Sequence, residues 1–284
     1  MIVSDLDGTL LDQKKQIAPR NLEALKRFRQ GGGLFTVATG RQYAAVRPLI
    51  PHIEEVVNAP AVLCNGGCLY SFTERRALFE ALLSESDASE LLDLIAQEAP
   101  ELLFYVLARR QIRFNAFTEE TCRYVSFCEP GSVLISSPGT WPRSDWHKLV
   151  LRGPPQRLAN LRKALNSRFG DRFNVTTSSP RALEIQPATV TKASGIARLR
   201  TLQEDVRDRV LVACGDYEND TEMLRSCDVA VCPSNAAPLI KELADLTLCS
   251  CDEGLIADVI EKIEAGMIPL NKKELKNEDS RSFI

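Results

Sequence analysis

Residues 2–11 read I-V-S-D-L-D-G-T-L-L: two carboxylates one residue apart, at the end of an apolar run and directly before a glycine. Ile2 and Val3 have the character of the end of a buried strand. Side chains two apart on a strand share a face, so Asp5 and Asp7 are expected to converge where the strand opens into a loop. Two close carboxylates repel, and either a bound divalent cation or a retained proton relieves the repulsion. Both states are useful for attacking a phosphate ester. A calcium loop fails on spacing: counted from Asp5, the glycine comes too early and the twelfth position is Gln16, which has no bidentate carboxylate. A D-x-D-G string alone also marks plain turns, so the reading rests on what surrounds it.

Working outward, the pattern predicts a helix over Pro19 to Gln30, stopped by the glycines Gly31 to Gly33, then a strand over Leu34 to Ala38. That strand ends in Thr39-Gly40-Arg41, with a helix expected over Tyr43 to Leu49. A further apolar run, Ala61 to Cys64, breaks at Asn65-Gly66-Gly67, which reads as a tight turn. From about Glu85 the rhythm changes. A helix (Ala88 to Glu98) leads into Leu102 to Ala108 and Gln111 to Phe117, a hairpin joined by Arg109-Arg110. A helix over Glu119 to Phe127, a loop over Ser136 to Ser144, a strand over His147 to Arg152, a helix over Gln156 to Phe169, and strands over Arg172 to Thr177 and Ala182 to Gln186 complete this segment.

Past Pro187 the alternation of short apolar strands (Val210 to Cys214, Val229 to Cys232, Leu246 to Cys249) with helices returns. Such alternation points to a parallel sheet covered on both faces. The expected class is α/β, a doubly wound, Rossmann-like core of residues 1–82 and 187–284 interrupted by an inserted α+β module of residues 83–186. The charged tail Asn271 to Ile284 is expected to be loose.

A chain of 284 residues has ample material for a buried core, and its net charge of −3, with basic and acidic residues interspersed, argues against nucleic acid or an anionic membrane as partner. Small molecules are the expected partners. With no basic leader and no apolar run of bilayer length, a soluble, cytoplasmic protein is expected. The nine cysteines are odd in number and irregularly spaced, and are read as reduced, mostly buried thiols. Cys64 and Cys68, like Cys249 and Cys251, lack zinc-type spacing, and His52 and His147 are read as structural.

Ligand sites of doubly wound sheets lie at the carboxyl ends of the strands. Four polar motifs fall at such ends: Asp5-Leu6-Asp7-Gly8-Thr9, Thr39-Gly40-Arg41, Lys192 at the start of a helix, and Gly215-Asp216-Tyr217-Glu218-Asn219-Asp220. Singly they read as caps and solvated faces. Jointly they supply a nucleophile, a phosphate-binding hydroxyl, a cation and a metal-binding carboxylate, the inventory a phosphoryl transfer needs.

In order and context, D-L-D-G-T-L-L, T-G-R, V-T-K and G-D-Y-E-N-D resemble the four motifs of the haloacid dehalogenase superfamily. Asn65-Gly66-Gly67, L-E-I-Q-P (Leu183 to Pro187), Asn235-Ala236 and Asp252-Glu253-Gly254 further resemble its Cof-type branch, with a large B-type class II cap between the second and third motifs. The resemblance spans almost the whole chain; it departs at Cys64 and Cys232, where commoner apolar residues are replaced. It implies Asp5 as nucleophile and Asp7 as general acid and base, a task for a carboxyl with a raised pKa. It further implies magnesium held by the Asp5 side chain, the Asp7 carbonyl and Asp216, with Asp220 orienting metal-bound water or Lys192. Thr39, Gly40, Arg41, Lys192 and Asn219 are the implied phosphate- and substrate-binding residues.

The implied function is a magnesium-dependent phosphatase of small phosphorylated metabolites, sugar phosphates foremost, acting through an aspartyl-phosphate. A phosphomutase is the nearest rival, left open by the cap arginines Arg109, Arg110, Arg113 and Arg123. A non-catalytic phospho-metabolite sensor has no need of the Asp5 and Asp7 pair, and a response-regulator receiver is much shorter and carries no inserted cap.

Overall fold

The structure, a computed structural model, describes residues 1–269; the tail from Asn271 lies outside the described residues. Ile2–Ser4 is buried between two parallel neighbours, Phe35–Val37 and Val212–Cys214, and Val229–Pro233 and Leu246–Leu248 extend the sheet beyond the latter. Alternation along these strands serves two layers. Ile2, Val212 and Val231 pack into one apolar layer with Leu25 and Ile260, whereas Val3, Ala213 and Ala230 pack into the other with Ile196, Leu199 and Met223. A strand buried on both faces has no room for charged side chains until it ends, which drives the carboxylates to its carboxyl edge.

A parallel bridge from Ala38 to Val62 joins this sheet to a second, antiparallel one of Ala61–Leu63, Cys68–Ser71 and Arg76–Glu80. The sequence reading assigns no strands between Cys68 and Glu80, where the runs are short and the alternation imperfect. The expected helix over Tyr43 to Leu49 is a single turn, Tyr43–Val46.

The inserted segment forms a six-stranded sheet ordered Phe173–Ser179, Ala182–Pro187, Trp146–Arg152, Leu103–Ala108, Ile112–Phe114 and Val133–Ile135. All its pairs are antiparallel except the last, which is parallel, and Val133–Ile135 is a strand that the sequence reading leaves unassigned. One face, with Phe104, Val106, Leu149 and Leu151, packs against Leu91 and Leu94 of helix Glu85–Glu98 and Leu158 and Leu161 of helix Pro155–Phe169. The opposite face, with Tyr105, Leu107 and Val150, packs toward the parallel core. The overall class is thus α/β, a parallel sheet core carrying a sheet-rich insertion. Among the described residues no helix is long and apolar enough to cross a membrane.

One close approach positions the third motif. The Asn65-Gly66 turn presses on the N-terminus of helix Lys192–Leu202, whose Thr191 cap and Ser194 exchange hydrogen bonds of 3.0 and 2.9 Å. Gly66 has φ of +98°, and a Cβ there would lie 2.1 Å from the Thr191 carbonyl oxygen. Gly66→Ala should therefore cost at least about 2 kcal/mol, since it combines left-handed strain with a backbone clash. The check is chemical unfolding, where a lower midpoint is expected; an unchanged midpoint would show that the turn and helix are free to separate.

Candidate active site

Asp5 follows directly on Ile2–Ser4 and is tied to the neighbouring strand by its amide, which donates to the Cys214 carbonyl at 2.8 Å. Gly215-Asp216 leaves the end of that neighbour, and Lys192 opens its helix below both. The fully buried Lys192 Nζ donates to Asp5 Oδ1 and, at 2.6 Å, to Asp220 Oδ1. Burial alone would lower the lysine's pKa, but the charges of Asp220 and Asp5 outweigh it and hold the ammonium firmly protonated. For Asp5, burial dominates and raises its pKa against the pull of Lys192, with Asp220 and Asp216 adding to the rise.

Carboxylate oxygens of Asp5, Asp216 and Asp220 lie within 4.8 Å of one another. Burial, then the charge of Asp220, pushes Asp216 up to about 7, while Thr9 Oγ1 donates to its Oδ1 at 2.9 Å. Gly8 permits this approach: with φ of +90°, it lies where a Cβ would come within 2.6 Å of Asp216 Oδ2. Asp220 is engaged at both oxygens, for Oδ2 accepts the amides of Asp216 and Tyr217 at 3.0 and 3.2 Å.

Asp7 differs from its expected electrostatics. Arg41 Nε and Nη2 donate to its two oxygens at 2.6 and 2.8 Å, and Lys15 Nζ donates to Oδ1 at 2.7 Å. Burial raises the pKa of Asp7, but the Arg41 charge and hydrogen bonds, with Lys15 behind them, outweigh it and hold the carboxyl well below the usual range. The sequence reading, which expects a raised value, counts only the neighbouring carboxylates. Arg41 accordingly has two donors on Asp7 in this arrangement, and Lys15 is a participant that the motif reading does not select.

Thr39 lies at the end of Phe35–Val37, buried, its hydroxyl accepting the Arg41 amide at 3.2 Å. Thr39, Gly40, Arg41 and Asn219 line one cavity of about 840 Å³ with Asp5, Asp7 and Asp216. Its other wall comes from the inserted segment, with Tyr105, Lys148 and Glu184 from the sheet and Tyr124 from helix Glu119–Val125. Lys148 and Glu184, both buried, pair at 2.6 Å, and Glu184 also accepts Asn65 Nδ2 at 2.5 Å. Burial raises the Glu184 pKa, yet Lys148 and these hydrogen bonds leave it lowered. A Cβ on Gly40 would meet Lys148 Nζ at 2.9 Å, so the pair reaches the floor of the site. The sequence signal for it was a lysine inside the apolar strand H-K-L-V-L-R and a glutamate inside L-E-I-Q-P. Of the four cap arginines, Arg123 lines this cavity, Arg113 is bound to Asp145 at 2.8 and 2.7 Å, and Arg109 and Arg110 line a second cavity. All nine cysteines are free thiols. His147 is buried, with Nδ1 3.2 Å from the Ala81 carbonyl.

The family model for haloacid dehalogenase-like hydrolases matches residues 2–260. The chain belongs to this family. An HMP-PP phosphatase of Yersinia enterocolitica is 25% identical to this haloacid dehalogenase-like hydrolase over 274 residues, covering 90% of this chain and 92% of its own. A chloroplastic endoribonuclease YBEY of Arabidopsis thaliana is 27% identical over 279 residues, 91% of this chain; the chain spans 45% of that protein's length. A solved subclass IIB sugar phosphatase superposes with a TM-score of 0.80 at 17% identity, covering 94% of this chain and 99% of its own, a likeness of fold. By family the chain is a hydrolase, and its full-length relatives include phosphatases.

The clamp on Asp7 generates a measurable expectation. Removing the guanidinium in Arg41→Met should raise the Asp7 pKa by at least about one unit, as loss of an adjacent opposite charge does. Because the folded-state pKa is depressed, the clamp contributes stability above the ordinary carboxylate range that is lost as pH falls toward the folded value. The variant's deficit in stability should therefore be larger at pH 7 than at pH 3. Carboxyl NMR titration with unfolding at the two pH values checks both; an unmoved Asp7 titration would remove Arg41 from this role.

Proposed function

We propose that this hydrolase is a magnesium-dependent phosphomonoesterase of small phosphorylated metabolites, with Asp5 as nucleophile. The observation that carries the reading is the meeting of Asp5 and Asp216 in the cavity wall with Lys192 and Asp220 buried behind them, and Asp7 lining the same cavity. The donor set fits a hard divalent cation: three carboxylates within 4.8 Å, one of them pushed up to about 7 by burial and a neighbouring charge. Asp5 and Asp216, with the Asp7 carbonyl, are the proposed ligands, and Asp220, engaged at both oxygens, positions Lys192 and the Asp216 loop. Bound there, the ion lets an anionic nucleophile and an anionic phosphate approach each other.

Asp5 Oδ attacks phosphorus and the bond to the leaving oxygen breaks, while Asp7 gives that oxygen a proton. Water then attacks the aspartyl-phosphate, Asp7 takes the water's proton, and Asp5 is restored as phosphate leaves. Ionised in its clamp, Asp7 is poised for the second half; the first requires a proton that Arg41 and Lys15 now disfavour. Arriving substrate must therefore loosen the clamp. Lys192, from its place beside Asp5, and Thr39 hold phosphoryl oxygens, with Gly40 and Asn219 lining the cavity beside them. Residues 83–186 act as a cap, whose sheet supplies the wall around the leaving group. Sugar phosphates are the favoured substrate class, supported by the fold likeness to a sugar phosphatase.

Asp5→Asn should remain folded and lose hydrolysis of p-nitrophenyl phosphate by at least about a thousandfold. Near-wild-type turnover would remove Asp5 as nucleophile. Excess chelator should abolish wild-type activity and magnesium restore it, with calcium a poor replacement because it takes more oxygens at longer distances. Full activity in chelator would overturn the metal assignment while leaving the Asp5 result to stand by itself.

A further inference from the structure

A second cavity, of about 460 Å³, opens at the junction between the core and the inserted sheet, with none of its lining shared with the proposed catalytic cavity. Its volume is within the range of small-molecule sites. Its charge is opposite to that of the chain, which carries −3 overall: Arg75, Arg76, Arg109 and Arg110 face the single carboxylate of Glu80. Part of that charge is already matched. Arg109 pairs with Glu80 at 3.1 Å, and Arg76 pairs with Glu74 at 2.6 Å. Arg75 and Arg110 have no carboxylate partner among the described residues. Arg75 comes from the turn between two core-side strands and Arg110 from the hairpin of the inserted sheet, so two unmatched cations approach one cavity from its two sides.

The floor adds a second, independent feature. Gln42 is buried at 2% exposure and lines this cavity, and its Oε1 has no hydrogen-bond partner. The amide cannot simply be flipped to solve this, because its Nε2 donates to the Ala108 carbonyl across the junction. A buried acceptor without a donor costs about 1–3 kcal/mol, which a donor that reached it would recover. Beside it, Tyr43 and Tyr70, both partly exposed, stack at 5.1 Å with planes 6° apart, a flat aromatic wall. Cations, one orphan acceptor and a flat wall together describe a complement with phosphate at one end and a planar, donor-bearing group at the other.

We propose that this junction cavity is a second ligand site, taking a small phosphorylated compound with a planar hydrogen-bond-donating moiety, of which a nucleotide is the simplest form. Its occupant would bridge the core and the inserted sheet, touching Gln42, the residue next to the Arg41 that clamps Asp7. The site stands independently of the catalytic assignment, since it shares no residue with that cavity.

The test is calorimetric titration of the full chain with ADP in magnesium buffer, using Asp5→Asn to prevent turnover. Arg75→Ala/Arg110→Ala in that background should weaken ADP binding by at least about tenfold, the scale of losing charge-assisted hydrogen bonds. Both arginines are exposed, so the pair of substitutions should leave the fold intact. In an otherwise wild-type chain, the same double variant should hydrolyse p-nitrophenyl phosphate at the wild-type rate, which separates this site from the catalytic one. ADP affinity unmoved by the double variant, or no ADP binding at millimolar concentration, would overturn the proposal.

Discussion

The ammonium of Lys192, fully buried between Asp5 and Asp220, is the constraint around which the site is organised. An unpaired buried cation is far too costly to keep, and removing either partner leaves charge uncompensated in a poor dielectric. The strand bearing Asp5, the loop bearing Asp220 and the helix opened by Lys192 must therefore arrive together. They are separated by 187 and 28 positions in the chain, so the pairing couples the folding of its first and last parts. The Gly66 contact on Thr191 and the Gly8 contact on Asp216 are the steric side of the same requirement.

The same groups that hold the fold together are frustrated electrostatically. Three carboxylates crowd one cation, and burial, with the neighbouring negative charges adding to it, raises the pKa values of Asp5 and Asp216. Asp7, two residues from Asp5, has the opposite environment, with two cations and a depressed value. The two neighbouring carboxyls are thus pushed apart in pKa, Asp5 upward and Asp7 downward, by their separate environments. The division depends on Arg41 and Lys15 as much as on Asp7 itself.

Much of this was legible in the sequence because doubly wound sheets concentrate polar residues at strand ends, and short apolar strands with D-x-D-G, T-G-R, V-T-K and G-D-Y-E-N-D after them are visible as text. The long-range pairings were not. Nothing local says that Lys15 folds back on Asp7, that Lys148 and Glu184 meet across adjacent strands, or that Asn65 reaches Glu184. The short strands Cys68–Ser71, Arg76–Glu80 and Val133–Ile135 were missed for a related reason: their stability comes from neighbours in the sheet, and their own alternation is too brief to declare them. The residues of the inserted sheet that face the core and those that face its own helices alternate as a strand requires, but which face meets the site is a tertiary fact.

The proposed reaction turns on covalent phosphorylation of Asp5. Rapid quenching of the wild-type enzyme during turnover of a ³²P-labelled phosphomonoester, followed by peptide mapping, tests it most directly. Acid-stable, alkali-labile label is expected on the N-terminal peptide at Asp5, formed and discharged at rates compatible with turnover. Turnover without label on the protein at any quench time, or label on another residue, would contradict it.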